Sequence, residues 1–194
     1  MAEASQKDVD LVARTCSGEC EAFGVLVSRY EGQVYNAVVH LVGESDAEDI
    51  AQEVFMKAFR GLGGFRREAR FSTWLYGIMM NCVRTHWRSR RRRRGLFSLD
   101  GGNPHEDPLV DPPSLQDGPV ADSVRRETVE MVRRAIGGLD GDLREVIVLR
   151  DIEGLSYDEV SHVLGLPLGT VKSRLFRARS VLKDKMAPMW RDGG

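Results

Sequence analysis

No apolar run in this chain approaches the ~18 residues that a membrane-spanning helix needs, although hydrophobic residues make up 42% of it. Membrane insertion is therefore not expected. Cysteine is scarce: Cys16, Cys20 and Cys82 are three in number, so they cannot all pair, and they lack the Cys/His spacing of a zinc site. Buried, reduced thiols are the expectation, while the one-turn separation of Cys16 and Cys20 leaves a redox role open. His40, His86, His105 and His162 are scattered, with no ligand spacing, nucleophile elbow or phosphate loop to join them. Neither a catalytic site nor a metal or cofactor is expected. The first residues contain no basic segment followed by an apolar one, so a secretory signal is not expected and a cytoplasmic chain is.

Net charge is also small, −1 over 194 residues, but it is strongly segregated. Residues 1–60 carry −6, 61–95 carry +9, 96–124 carry −6 and 125–194 carry +2. Blocks of opposite sign point to different partners for different segments, with nucleic acid the natural partner of the basic one.

What the chain does have is concentrated between Phe71 and Arg94, FSTWLYGIMMNCVRTHWRSRRRRR. Read as a helix, Phe71, Leu75, Ile78 and Cys82 form one stripe, and Tyr76, Met80, Val83 and Trp87 form a neighbouring one. Two apolar stripes imply two packing partners. The remaining edge carries Asn81, Arg84 and Arg88, and Arg90 to Arg94 prolong the charge. Aromatics beside a basic track suit single-stranded nucleic acid, because unpaired bases stack on rings at about 1–3 kcal/mol each while cations follow the backbone. On this stretch alone, an aromatic core with a solvated arginine tail is an equally open reading.

Upstream, a short helix is expected around Asp8 to Cys16, broken near Gly18. A longer amphipathic helix over Ala22 to Val42 ends at Gly43. Ser45 and Glu48 make a capping-box pattern for a third helix reaching about Arg60. Its buried stripe is Ala47, Ile50, Ala51, Val54, Phe55, Ala58 and Phe59, with Asp46, Asp49, Gln52 and Glu53 outside it. Acids near a helix N-terminus are favourable in any case, so this face alone does not demand a partner. A basic loop, Phe65 to Arg70, then leads to the central helix with Ser72 or Thr73 as its expected cap.

From Gly95 to about Val120 lie five of the seven prolines, several glycines and acids, and no Lys or Arg. Such a segment cannot bury a core, and it reads as a flexible acidic linker. The expected fold is all-α: two small helical domains, 1–95 and 122–187, joined by linker 96–121 and followed by a tail, 188–194. The hypothesis that the linker screens neighbouring basic surfaces predicts stronger non-specific DNA binding when Asp107, Asp111 and Asp117 are neutralised; no change would remove it.

The second domain carries a helix-turn-helix pattern. Helices are expected from near Asp122 to Leu139 and from Asp142 to Asp151. Ser156 and Glu159 then form a second capping-box pattern, Gly165 supplies a turn, and Pro167 opens a further helix. Along it Val171, Leu175 and Ala178 face inward, while Thr170, Lys172, Ser173, Arg174, Arg177 and Arg179 remain outside. Such a helix fits the major groove, reading base edges near its N-terminus and fixing phosphates with its cations. An ordinary helical hairpin with a cationic surface is the plainer alternative.

The ordered series SDAEDIAQEVFMKAF, FSTWLYGIMMN running into arginines, a linker, and LREVIVLRDIEGLSYDEVSHVLGLPLGTVKSRLFRARSVL resembles the extracytoplasmic-function (ECF) sigma factors of bacteria. The resemblance spans both domains. It implies a non-catalytic promoter-recognition subunit that needs core RNA polymerase and promoter DNA as partners, with an anti-sigma protein as an expected regulator. It also implies that Asp46, Asp49, Ile50, Gln52, Glu53 and Phe55 belong to the helix that docks on the polymerase clamp. Phe65, Arg66, Phe71, Ser72, Trp74, Asn81, Arg84 and Arg88 would then capture the melted minus-ten element. Ser156, Thr170, Lys172, Ser173, Arg174, Arg177 and Arg179 would read the minus-thirty-five element, and the linker would thread toward the active site. Ser161 stands where such helix-turn-helices usually carry alanine, and Met79 and Met80 where smaller residues are frequent. A stand-alone DNA-binding regulator would explain the second domain but leave the first unused.

Overall fold

A computed structural model describes residues 2–66, 69–97 and 120–191. Among them are eight α-helices and no strand: α1 (Ala2–Cys16), α2 (Cys20–Val42), α3 (Ala47–Gly61), α4 (Phe71–Phe97), α5 (Val120–Gly137), α6 (Gly141–Ile147), α7 (Tyr157–Leu164) and α8 (Leu168–Arg191). The end of α6 widens into a π-type turn, Val148–Ile152. Helices α4 and α5 each extend two residues into the expected linker, and α8 continues through residues expected to be tail. Arg67, Asp107, Asp111 and Asp117 lie outside the described residues.

Periodicity accounts for the cores. In the first domain Leu26, Val34, Val38 and Leu41 of α2 meet Ile50, Val54 and Ala58 of α3 and Phe71, Leu75 and Met79 of α4, all buried. Asp8, 3% exposed, ties α1 to α2 by accepting from Arg29 and from the Tyr30 hydroxyl at 2.6 Å. Burial and that bond raise the Tyr30 pKa well above the ordinary phenol value. In the second domain Leu143, Val146 and Ile147 of α6 close against α8, whose Val171, Leu175 and Ala178 are buried, and Val160 and Leu164 of α7 pack on α8 as well. Each fully buried Leu or Ile contributes about 1.5–3 kcal/mol.

Three expectations are corrected. The Ser45/Glu48 capping box does not form: α3 begins after Asp46, which makes no side-chain cap bond, and Ser45 donates to the Asp46 carboxylate at 3.3 Å. That carboxylate is drawn toward His86 at 3.6 Å and Arg90 at 3.7 Å on α4, so tertiary charge outcompetes a local cap. Neither Ser72 nor Thr73 caps α4, because Phe71 is already helical and the Trp74 amide donates to the Arg70 carbonyl. Finally, only Cys82 is a buried thiol; Cys16, the last residue of α1, and Cys20, the first of α2, are exposed. Burial pushes the Cys82 thiol pKa up, which keeps it protonated.

The two domains touch, and their buried residues form one continuous cluster. The second apolar stripe of α4 meets the second domain. Thr73 donates to Glu159 at 3.1 Å, Tyr76 donates to Glu153, and a Cβ added at Gly141 would sit 3.3 Å from the Trp87 indole. Arg144, 7% exposed, donates to the Leu41 carbonyl of α2 at 2.8 Å and to Leu139 at 2.9 Å, with its guanidinium 5.9 Å from the Trp87 ring centre.

Candidate nucleic-acid and partner interfaces

The helix-turn-helix is built as its sequence specifies. The Ser156 side chain accepts from the Glu159 amide at 3.2 Å, and the Ser156 amide donates to Glu159 at 2.8 Å, so both halves of the capping box are present. Gly165 takes the left-handed conformation, φ 65°, that ends α7; a side chain there would be strained. The Ser161 hydroxyl then donates to the Leu166 carbonyl at 2.5 Å, a turn bond that alanine would not make. The Pro167 carbonyl accepts from Thr170 and Val171, starting α8. Glu159 is opposed by burial, yet bonds from Ser156 and Thr73 and the nearby Arg70 keep its carboxyl below the ordinary range.

The inward stripe Val171, Leu175 and Ala178 is buried to 0–1%, which leaves Lys172, Ser173 and Arg177 on the exposed side. Thr170 is half-buried, and Ser173 donates to its carbonyl. Two of the predicted readers are occupied within the domain. Arg174 pairs with Asp142 at 2.5 Å, and Arg179 makes a two-pronged contact with Asp151 at 2.7 and 2.9 Å. Phe176, 77% exposed, lies beside Lys172 and Arg179 on the outer face and was missed. Its signal was available: it directly follows inward Leu175, so the periodicity turns it outward.

On α4 the predicted residues divide. Phe71 is buried at 2% and is a wall rather than an open stacking surface. It packs with Phe65, Trp74 and Tyr30 at ring-centre separations of 5.4–5.9 Å. Phe65, Ser72 and Trp74 are half-buried around it, and Arg66, Asn81 and Arg88 are exposed. Arg88 lines a surface recess with Thr85, Arg91 and Arg92. Arg84 turns the other way, making a two-pronged contact at 2.7 Å with Glu145, which is 3% exposed.

The α3 residues also separate. Ile50 is core, Asp46 faces α4, and Asp49 and Glu53 are exposed, with Glu53 paired to Lys57 at 2.7 Å. Gln52 and Phe55 line a groove between α2 and α3. That groove was not anticipated. Its walls include Phe23, Tyr35, Met56 and Phe59, and its rim carries Glu31 and Glu48. Phe59 belongs to the groove rather than to the core: it is 46% exposed and stacks edge-on against Phe23 at 5.1 Å.

Among the described residues no cluster of His, Cys, Asp or Glu could hold a metal, and no helix is long and apolar enough to cross a membrane. Comparison with known families places this geometry. Residues 26–93 match Sigma-70 region 2, and residues 129–182 match Sigma-70 region 4. The ECF RNA polymerase sigma-E factor of Escherichia coli is 36% identical, the alignment covering 95% of this chain and 96% of that protein. The sigma-E factor of Haemophilus influenzae is 35% identical over 94% and 96%, and the RNA polymerase sigma-H factor of Pseudomonas aeruginosa 34% over 96% and 97%. Among solved structures, CnrH in complex with the cytosolic domain of CnrY has a TM-score of 0.66 at 29% identity, covering 94% of this chain and 98% of that one. The sigma factor RpoE in complex with the anti-sigma factor NepR from Bartonella quintana has a TM-score of 0.63 at 25% identity, covering 85% and 96%. Both matched regions, in order and across nearly the full length of these relatives, show that the chain belongs to the ECF sigma factors, the bacterial subunits that direct RNA polymerase to promoters and initiate transcription.

Proposed function

We propose a division of labour within this sigma factor in which the α2–α3 groove docks core polymerase, the α4 edge with the Phe65 loop captures the melted minus-ten strand, and α8 reads the minus-thirty-five duplex. The observation that carries the proposal is the one-sided build of α8: its inner stripe is fully buried, and Lys172, Ser173, Phe176 and Arg177 stand together outside. A cation there reaches phosphates or guanine edges, and a ring gives apolar contact to thymine methyls. Arg174 and Arg179, spent on Asp142 and Asp151, serve mainly to hold the helix in place.

For the minus-ten strand, Arg66, Asn81 and Arg88 supply exposed polar contacts beside half-buried Trp74. Opening the duplex costs a few kcal/mol, which binding of extruded bases offsets. The groove suits a helical segment of the polymerase's largest subunit that brings apolar residues to Phe55 and Phe59 and cations to Glu31, Glu48 and Asp49. Neither DNA contact need be tight, because the shared enzyme makes the second intramolecular. The protein acts without catalytic groups of its own, in the cytoplasm, where the polymerase is. An anti-sigma protein is the expected regulator, supported by the neighbouring structure captured with one.

Run-off transcription from randomised promoter DNA, with core polymerase and with or without the purified chain, tests this. Start-specific transcripts are expected only with the chain, and the selected templates give both elements. Tight duplex binding without polymerase, and no transcripts, would favour a stand-alone regulator instead.

A further inference from the structure

The arginine block that prolongs α4 runs past the residues assigned to strand capture. Arg90 faces back to Asp46 of α3, but Arg88, Arg91 and Arg92 are exposed and line one recess with Thr85. At 3.6 residues per turn, Asn81, Thr85, Arg91 and Arg92 all lie within about 60° of the direction of Arg88. The recess therefore continues the open edge toward the C-terminal end of the helix. Like charges three and four residues apart oppose helix formation. Among the described residues no carboxylate pairs with Arg88, Arg91 or Arg92, so nothing there offsets the repulsion, and a polyanion would.

Three features select the polyanion. Among the described residues the lining comes from α4 alone, which suits an elongated backbone lying across the helix rather than an enclosed small anion. No ring is part of that lining: Trp87 is turned against Gly141, and His86 toward Asp46. Unpaired bases would find nothing to stack on, whereas duplex phosphates need only cations. Finally, the arginines stand near the end of α4 from which the chain continues to the second domain, and so on the side of the upstream element. From Asn81 to Arg92 is about 16 Å at 1.5 Å per residue, equivalent to about five base-pair steps of 3.4 Å.

We propose that Arg91 and Arg92, together with Arg88, clamp backbone phosphates of the duplex immediately upstream of the melted minus-ten segment, between the two promoter elements. The proposal rests on the assignment of the α4 edge to the minus-ten strand. The clamp holds the double-stranded side of the junction without reading its bases, and the affinity it adds falls steeply with salt.

The test uses holoenzyme and two fluorescent DNAs that share the minus-ten segment selected in run-off transcription. One is that single strand alone; the other adds about ten base pairs of arbitrary duplex upstream, one helical turn without a minus-thirty-five element. The variant Arg91→Gln with Arg92→Gln keeps helix-forming side chains and removes the charge. On the DNA with duplex it should bind about tenfold more weakly than wild type, with a salt dependence smaller by about two phosphate contacts. On the single strand the two proteins should bind alike. Arg91→Lys with Arg92→Lys keeps the charge and should match wild type on both, which sets aside a folding defect. Equal weakening of the glutamine variant on both DNAs would move these arginines to the single strand, and no weakening on either would leave them a solvated tail; each result overturns the clamp. The minus-ten assignment is read separately, from wild type. Scrambling the single-stranded segment should weaken binding of both DNAs, and indifference to it would strike that assignment, while the difference between the two DNAs still reports on the duplex contact.

Discussion

Helices α4 and α8, of 27 and 24 residues, both bring aromatics and arginines together, yet they are packed in opposite ways. One stripe of α8 is buried, and the opposite face, with Lys172, Ser173, Phe176 and Arg177, stands open. Helix α4 is buried on two sides, by its own domain through Phe71, Leu75 and Met79 and by the second domain through Thr73 and Tyr76. Only a narrow edge with Asn81 and Arg88 is left open. The lesson is that a one-sided helix declares its binding face by default, whereas the free edge of a two-sided helix is set by whichever partner occupies it.

The largest effect expected from breaking this contrast lies in the α8 core. Leu175→Ala should lower stability by about 2–5 kcal/mol, while its neighbour Phe176→Ala should change it by less than about 0.5 kcal/mol and instead weaken upstream-element recognition. Urea unfolding with promoter binding by the holoenzyme separates the two, and equal destabilisation would place Phe176 in the core. Next comes Arg84→Ala, which strands the buried Glu145 carboxylate; the loss should be about 2 kcal/mol, below the range for a fully buried pair because Arg84 is partly exposed. Arg88→Ala, one turn further along, should leave the melting curve in place and lower the salt dependence of DNA binding by about one phosphate contact. A stability loss for Arg88→Ala as large as that for Arg84→Ala would erase the distinction between the edge packed on the second domain and the open one.

On the reading face itself, Arg177→Ala in the holoenzyme should cost about 1–3 kcal/mol of upstream-element binding. Arg179→Ala, which breaks an exposed pair with Asp151, should cost no more than about 1 kcal/mol of stability; competition binding against mismatched elements would expose a reversed order. The smallest effect is local. Ser156→Ala removes one half of a formed capping box and should cost about 1 kcal/mol, whereas Ser45→Ala, where no box forms, should be nearly silent in thermal unfolding.

That last pair marks how far local pattern reaches. Ser45/Glu48 and Ser156/Glu159 are the same four-residue signature, and only the second closes. At the first, Asp46 is drawn to His86 and Arg90, some forty residues away in the chain, and no local rule contains that information. Phe55 and Phe59 follow suit: helical spacing assigns both to an apolar face, but α2 covers only part of it, leaving the groove. The predicted docking residues of α3 likewise divide, once the neighbouring helices are in place, into a core residue (Ile50), an α4 contact (Asp46), groove residues (Gln52, Phe55) and exposed acids (Asp49, Glu53).

By itself the sequence determined the helices, their apolar stripes, the helix-turn-helix with its cap and glycine turn, and the family. These follow from 3.6-residue periodicity and from side chains that act within four residues of themselves. It also determined that α4 has two buried faces. Tertiary structure decided what lies against the second of them: Glu145, Glu153 and Glu159, separated from their partners by 61, 77 and 86 positions. Periodicity reports that a face leaves water, because burial depends on the side chains that line it. Which carboxylate meets which residue of α4 depends on how the two domains dock, and that is a property of their shapes.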